Sequence, residues 1–213
     1  MSSYKPLAEI LRPNDLSEFI GQRHLLDPDK PIGKALADNQ LHSMILWGPS
    51  GVGKTTLARI ICTQMGAHFE QMSAVLDGIK ELRNVIEHAQ LYKHQDKSTI
   101  LFVDEIHRFN KAQQDAFLPH IESGLITLIG ATTENPSFEI NSSLLSRSRV
   151  YILDKLSEDD LTTIAIKAME SQGVTLEDDG SLSLVVVSSD GDARRLINII
   201  EQLTEKSNKT INK

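Results

Sequence analysis

The sequence predicts an α/β fold: a parallel five-stranded sheet between helices, followed by a small all-α lid subdomain. Two observations lead to the sheet. Apolar runs suited to buried strands recur at residues 44–47, 68–72, 99–103, 126–129 and 150–153, and the stretches between them carry apolar residues at helical spacing. Strand alternating with helix implies parallel strands covered on both faces. A third observation gives the second domain, because beyond Leu153 helical periodicity dominates. The expected division is an α/β domain at residues 1–155 and a helical lid at residues 156–213.

Taken in order, Met44-Ile45-Leu46-Trp47 is the first strand, and Leu57, Ile60, Ile61 and Met65 mark the helix after it. His68-Phe69-Glu70-Gln71-Met72 is a weaker strand, followed by a helix with Leu82, Val85, Ile86 and Ala89 on one face. Thr99-Ile100-Leu101-Phe102-Val103 is the clearest strand. One helical stretch is expected around Ala116, Phe117, His120 and Ile121, before the strands at residues 126–129 and 150–153. Ser157 before Glu158, Asp159 and Asp160 reads as a capped helix start with an acidic first turn. Leu161, Ile164, Ala165 and Ala168 line that helix, and Leu196, Ile199, Ile200 and Leu203 line the last one. Leu184-Val185-Val186-Val187 conflicts with a helix, since β-branched residues are poor helix formers; a helix is nonetheless expected there. The polar tail from Glu205 to Thr210 is expected to fray.

Composition bounds the function. A chain of 213 residues with 40% hydrophobic and 24% charged residues is an ordinary globular protein with room for a substantial core. Its single cysteine, Cys62, reads as a small buried hydrophobe and allows no disulfide within one chain, which fits a reducing cytoplasm. No apolar run approaches a membrane span, and the first residues form no signal region. The net charge of −7 argues against a general electrostatic grip on nucleic acid, although a local basic surface is compatible with it. The seven histidines show no metal-ligand spacing.

Gly48-Pro49-Ser50-Gly51-Val52-Gly53-Lys54-Thr55 matches the phosphate-binding pattern GxxxxGK[ST] and stands between a strand and a helix. Backbone N–H groups of such a loop, with the positive end of the helix dipole, form a concave anion site. The candidate ATP-binding residues are therefore Pro49, Ser50, Gly51, Val52, Gly53, Lys54, Thr55 and Thr56. Lys54 would reach the β- and γ-phosphates, and Thr55 would take one Mg²⁺ position. Asp104 and Glu105 follow the third strand. Asp104 is placed to hold the same Mg²⁺, and Glu105 to orient or deprotonate an attacking water. Thr132 and Thr133 end the next strand, where a hydroxyl can meet the γ-phosphate or the water. Arg147, Arg149, Arg194 and Arg195 are arginines able to neutralise transition-state charge if they approach a triphosphate.

The order of these elements resembles the AAA+ ATPases, and within them the clamp-loader group. By that resemblance the loop is Walker A, residues 100–105 are Walker B, and Thr133 matches sensor 1 with Thr132 as the alternative. Arg147 in Leu-Leu-Ser-Arg matches the arginine finger presented to a neighbouring subunit, and Arg194 in Gly-Asp-Ala-Arg matches sensor 2. Leu11-Arg12-Pro13 with Phe19-Ile20-Gly21-Gln22 looks like the segment over the adenine, which adds Ile20 and Gly21 to the binding set. Three further blocks, Asp104 to Asp115, Leu41 to Gly48 and Gly130 to Phe138, resemble the replication-associated recombination protein A family and its eukaryotic relatives, the Werner-helicase-interacting proteins. The zinc finger of those relatives has no counterpart here, so the chain looks bacterial.

The resemblance implies a DNA-dependent ATPase of replication-fork maintenance, recombination and repair. It implies ATP and Mg²⁺ as cofactors, and DNA, single-stranded-DNA-binding protein and further copies of the chain as partners. A cytoplasmic, nucleoid-associated place goes with it. Family members continue past the sensor 2 helix into a region that drives tetramer assembly, so the chain looks like core and lid alone, possible as a monomer, and slow hydrolysis is expected. Arg108 and Lys111 are candidate DNA contacts. The alternatives are another clamp-loader or branch-migration ATPase and a nucleotide-dependent scaffold that recruits repair proteins. A peptide-threading unfoldase is disfavoured because the loop from Ser73 to Gly78 has no aromatic residue.

Overall fold

The computed structural model describes residues 5–176, 180–206 and 210–211. The strands are β1 (Met44–Trp47), β2 (His68–Ser73), β3 (Thr99–Asp104), β4 (Ile126–Thr132), β5 (Arg149–Ile152), β6 (Thr175–Leu176) and β7 (Thr210–Ile211). The helices before β3 are α1 (Leu7–Ile10), α2 (Arg23–Leu26), α3 (Pro31–Ala37), α4 (Lys54–Gln64) and α5 (Ile79–Lys93). After β3 come a 3₁₀ turn (Ile106–Arg108), then α6 (Lys111–Asp115), α7 (Leu118–Glu122), α8 (Pro136–Glu139) and α9 (Ser142–Leu145). The last three helices are α10 (Glu158–Gln172), α11 (Ser181–Ser189) and α12 (Ala193–Lys206). Contact density divides the chain into a sheet unit (Arg23–Gly48 and Lys54–Leu153) and a helical unit (Met1–Gln22, Pro49–Gly53 and Asp154–Lys213).

In the sheet unit, five strands pair in the order β2-β3-β4-β1-β5, all parallel. Pleating sends alternate residues to opposite faces. One face buries Ile45, Met72, Leu101, Val103 and Leu128 against Leu82, Val85, Ile86 and Ala89 of α5, with Ile106, Phe109 and Phe117 beside them. On the other face Ile100 and Phe102 are buried, and α4 packs across β2, β3 and β4 with Leu57 and Ile61 fully covered. Phe102 stacks on Phe69, and the Arg59 guanidinium lies 4.8 Å above the Phe69 ring. The helix expected as one piece around Ala116 is two short ones, α6 and α7. Pro119 stands in the first turn of α7, where a proline lacks the N–H needed to continue the ladder from α6.

In the helical unit, Leu7 is buried with Leu161, Ala165 and Ala168 of α10 and Leu196 and Ile200 of α12. The Leu7 N–H also donates to the Glu201 carboxylate at 2.9 Å. Ser157 caps α10 by accepting the Asp160 N–H, with Asp160 accepting the Ser157 N–H in return. The Leu184 to Val187 run is helical despite its β-branching. Val186 is buried in this core, so tertiary packing outweighs a propensity cost of a few tenths of a kcal/mol per residue. The tail is more ordered than expected where it is described: α12 continues to Lys206, and Thr210–Ile211 pairs in parallel with Thr175–Leu176. Residues 207–209 of the predicted fraying segment lie outside the described residues.

Two expectations follow from this packing. Phe102→Ala deletes a fully buried ring, so urea unfolding should show a loss of about 3–5 kcal/mol in stability. Cys62 is buried, its thiol donates to the Ala67 carbonyl at 3.1 Å, and burial pushes its pKa up to about 11. With that value only about one thiol in a thousand is ionised at pH 8. Iodoacetamide labelling of the native chain at pH 8, followed by mass, should therefore be at least 100-fold slower than that of the urea-unfolded chain.

Candidate functional site

Because the strands are parallel, their carboxyl ends share one edge of the sheet, and in the sheet unit the predicted chemistry collects there. β1 ends at Trp47, aligned with Thr132 of β4, and the Gly48 N–H donates to the Thr132 carbonyl at 3.1 Å. β3 ends at Asp104, just beyond Val103, which is aligned with Gly130 of β4. β1 and β3 are separated only by β4, so their ends lie roughly 10 Å apart. Asp104 and Glu105 are half-buried, Thr132 is fully buried and Thr133 is half-buried. Lys54 opens α4; its side chain is buried, and Nζ donates to the Gly48 carbonyl at 2.6 Å. Thr55 and Thr56 follow on the first turn of α4, where backbone N–H groups have no intrahelical acceptor.

Glu105 adopts the left-handed conformation, φ 53° and ψ 43°, which costs a residue with a Cβ about 1–2 kcal/mol. The turn is closed by the Arg108 N–H donating to the Glu105 carbonyl at 2.8 Å. It brings the buried His107 ring beside the Glu105 carboxylate, with Nε2 3.4 Å from Oε2. The other ring nitrogen, Nδ1, lies 2.9 Å from the Thr132 hydroxyl.

In the helical unit, the stretch Pro49–Gly53 lies against the start of α12. The Ala193 N–H donates to the Gly51 carbonyl at 3.2 Å. Asp192 caps α12 by accepting the Arg195 N–H at 2.9 Å, and its carboxylate faces Gly51 so closely that a Cβ there would stand 1.8 Å from Oδ1. Gly51 and Gly53 have φ of +69° and +98°, which only glycine adopts without strain. Phe19 packs on Gly53, where a Cβ would come within 2.8 Å of the ring. Ile20 and Gly21 follow Phe19, and Gln22 anchors them: its side chain donates to the Asp154 carbonyl at 2.8 Å and accepts the Asp154 N–H at 3.0 Å. Arg194 is exposed on the first turn of α12, next to the residue that bonds the loop.

The structure sets the other arginine pair apart. Arg149 begins β5, aligned with Met44 at the start of β1. It therefore sits at the amino edge of the sheet, about 13 Å along a four-residue strand from the edge that carries Lys54 and Asp104. Arg147 comes just before it and donates Nε to Glu122 at 2.6 Å and an NH group to the Ser143 carbonyl at 2.8 Å. Glu122 itself closes the helix leading into β4, also at the amino edge. Arg108 and Lys111 are exposed.

Residues 44–156 match the model of the ATPase family associated with various cellular activities (AAA). The chain belongs to the AAA family of ATPases. It is 50% identical over 211 residues to replication-associated recombination protein A of Escherichia coli K12, covering 96% of this chain and 47% of that protein. The protein of the same name from Coxiella burnetii is 53% identical over 210 residues, again covering 96% and 47%. The chain thus spans about half the length of the curated relatives it matches. Among solved structures it superposes on the RuvB Holliday junction branch migration motor of Thermotoga maritima with a TM-score of 0.79 and 30% identity, covering 95% of this chain and 69% of that one.

Within this AAA ATPase two polar side chains organise the site without having been singled out by sequence. His107 is one. Gln114 is the other: it is buried, donates to the Phe109 and Glu139 carbonyls at 2.9 and 3.0 Å, and accepts the Asn141 N–H at 2.8 Å. It ties the segment after β3 to the start of α9, the helix that leads to Arg147. A polar residue inside a short amphipathic stretch was the available signal for both. The closeness of Asp192 to Gly51 gives a direct expectation. Gly51→Ala would place a Cβ on the carboxylate and force a left-handed alanine, so calorimetric ATP affinity should fall about tenfold or more.

Proposed function

We propose that this AAA ATPase hydrolyses ATP with Mg²⁺ and couples turnover to DNA at replication forks. The observation that carries the reading is the gathering of Lys54, Thr55, Asp104, Glu105 and Thr133 on elements that leave one edge of the parallel sheet. The donor set suits a triphosphate and a divalent cation: left-handed Gly51 and Gly53 leave backbone N–H groups unshielded by side chains, an ammonium stands at Lys54, and a hydroxyl and a carboxylate are hard oxygen ligands. Residues 49–56 would hold the phosphates, with Lys54 against the β- and γ-oxygens and Ile20 and Gly21 beside the base. Thr55 and Asp104 would hold Mg²⁺. The cation, when bound, neutralises charge on the bridging phosphate oxygens. Glu105 would accept a proton from the attacking water, and Thr133 would orient that water or the γ-phosphate. Arg194 would approach from the first turn of α12.

Arg147 is proposed to serve a neighbouring copy. Its bonds to Glu122 and Ser143 hold it at the amino edge, away from the Lys54 and Asp104 of its own sheet. That position favours a homo-oligomer as the complete enzyme, so an isolated copy turns over slowly. The assignment to replication and recombination rests on the two relatives named replication-associated recombination protein A. The likeness to the branch migration motor supports duplex or junction DNA as the track. DNA, single-stranded-DNA-binding protein and a nucleoid-associated cytoplasmic place are part of the same proposal. No described helix is long and apolar enough to cross a membrane.

The test is ATP turnover with and without forked DNA, with mass in solution recorded alongside. Glu105→Gln should lower turnover by 10²–10⁴-fold, the range for removing a general base, and leave ATP affinity within about threefold. Full turnover in that variant would remove Glu105 from the mechanism, and turnover indifferent to DNA would remove the fork assignment.

A further inference from the structure

Imidazoles buried beside a reacting group are held by what their two nitrogens touch, and both contacts of His107 are informative. Its side chain is only 6% exposed, so each nitrogen must find its partner within the protein. Nε2 faces the Glu105 carboxylate at 3.4 Å, and Nδ1 faces the Thr132 hydroxyl at 2.9 Å. Thr132 is itself fixed: it is fully buried at the end of β4, and its oxygen accepts the Glu134 N–H at 3.0 Å. The ring therefore spans from the end of β4 to the carboxylate that leaves β3. Neither contact follows from regular secondary structure. One needs the left-handed turn at Glu105, the other the register that aligns β3 with β4.

We propose that His107 is a positioning residue: it holds the Glu105 carboxylate at a fixed place relative to the carboxyl end of β4 by a hydroxyl–imidazole–carboxylate link. The proposal deepens the hydrolysis reading and rests on Glu105 acting on water. A purely packing role for the ring would be met by any side chain of similar shape and would leave Glu105 untouched. Here the ring is the neighbour that orients Glu105 from the side of Thr132, whose chain neighbour Thr133 is the residue proposed to meet the γ-phosphate. A shift of the β4 end is thus carried to Glu105 through two side chains.

The experiment compares His107→Ala, His107→Gln, Thr132→Val and Glu105→Gln with the unaltered chain. Single-turnover ATP hydrolysis is measured with protein in excess, together with ATP affinity. The ring ¹⁵N–¹H correlations of His107 are recorded in the unaltered chain, Thr132→Val and Glu105→Gln. Outer partners of buried reactive groups typically contribute 10–100-fold, so His107→Ala should lower the hydrolysis rate by about that factor with affinity within about threefold. His107→Gln, whose amide can still donate to the carboxylate, should recover at least a fivefold part of the loss. Thr132→Val should lower the rate several-fold and, like Glu105→Gln, displace the ring resonances of His107. An additional loss on adding His107→Ala to Glu105→Gln should be absent, because the two act as one unit.

A rate unchanged by His107→Ala while Glu105→Gln abolishes hydrolysis would overturn the proposal and spare the hydrolysis reading. Equal losses for Ala and Gln, or losses that fall on affinity, would also overturn it. Ring resonances indifferent to both Glu105→Gln and Thr132→Val would do the same without any measurement of turnover. Hydrolysis at full rate in Glu105→Gln would instead bring down the underlying reading.

Discussion

Parallel pairing is the constraint on which this molecule depends. With β2, β3, β4, β1 and β5 all running one way, every strand ends at the same edge of the sheet and every connection must return across a face. The cost is that both faces must be buried, which the nearly continuous apolar runs of β1 and β3 satisfy. The gain is geometric. The register of β4 against its two neighbours sets the spacing between the end of β1 and the acids after β3, so the candidate groups on those strand ends are placed by backbone hydrogen bonds. Flexible side chains do not have to set that spacing.

The same constraint separates roles. Groups at the carboxyl edge belong to this copy's own site, whereas Arg147 and Arg149 stand at the amino edge with the starts of the strands. A guanidinium so placed has no short path to Lys54 of its own sheet.

Much of this was legible from residue order, and the exceptions are instructive. β1, β3 and β4 declare themselves because buried parallel strands need apolar runs, the edge strands β2 and β5 less so because they are only partly buried, and the glycine-lysine-threonine loop because only glycine tolerates its backbone. The break between α6 and α7 was written in Pro119 but masked by apolar residues at helical spacing on either side. The helix over Leu184 to Val187 formed against propensity because Val186 had a core to enter. Leu7 packing beside Glu201 has no local signature, since nothing near Leu7 announces a partner 194 residues away. For the candidate site, the place of Lys54, Thr55, Asp104 and Glu105 at the carboxyl edge followed from motif and strand order. His107 did not, because its partners depend on a left-handed turn and on strand register, neither of which single residues encode. Arg149 could be placed only once β5 was known to lie parallel to β1.

The bond from the Ala193 N–H to the Gly51 carbonyl joins the glycine-rich loop to the first residue of α12. A helix of 14 residues is a stiff rod about 21 Å long. Its near end is clasped by the loop and by the Asp192 cap, while its middle is pinned in an apolar core through Leu196 and Ile200. A rod held in this way acts as a lever about its pinned middle: a tilt of about 3° imposed at the loop moves the far end by about 0.5 Å. A displacement of the backbone at Gly51 is thereby passed along α12 toward Lys206.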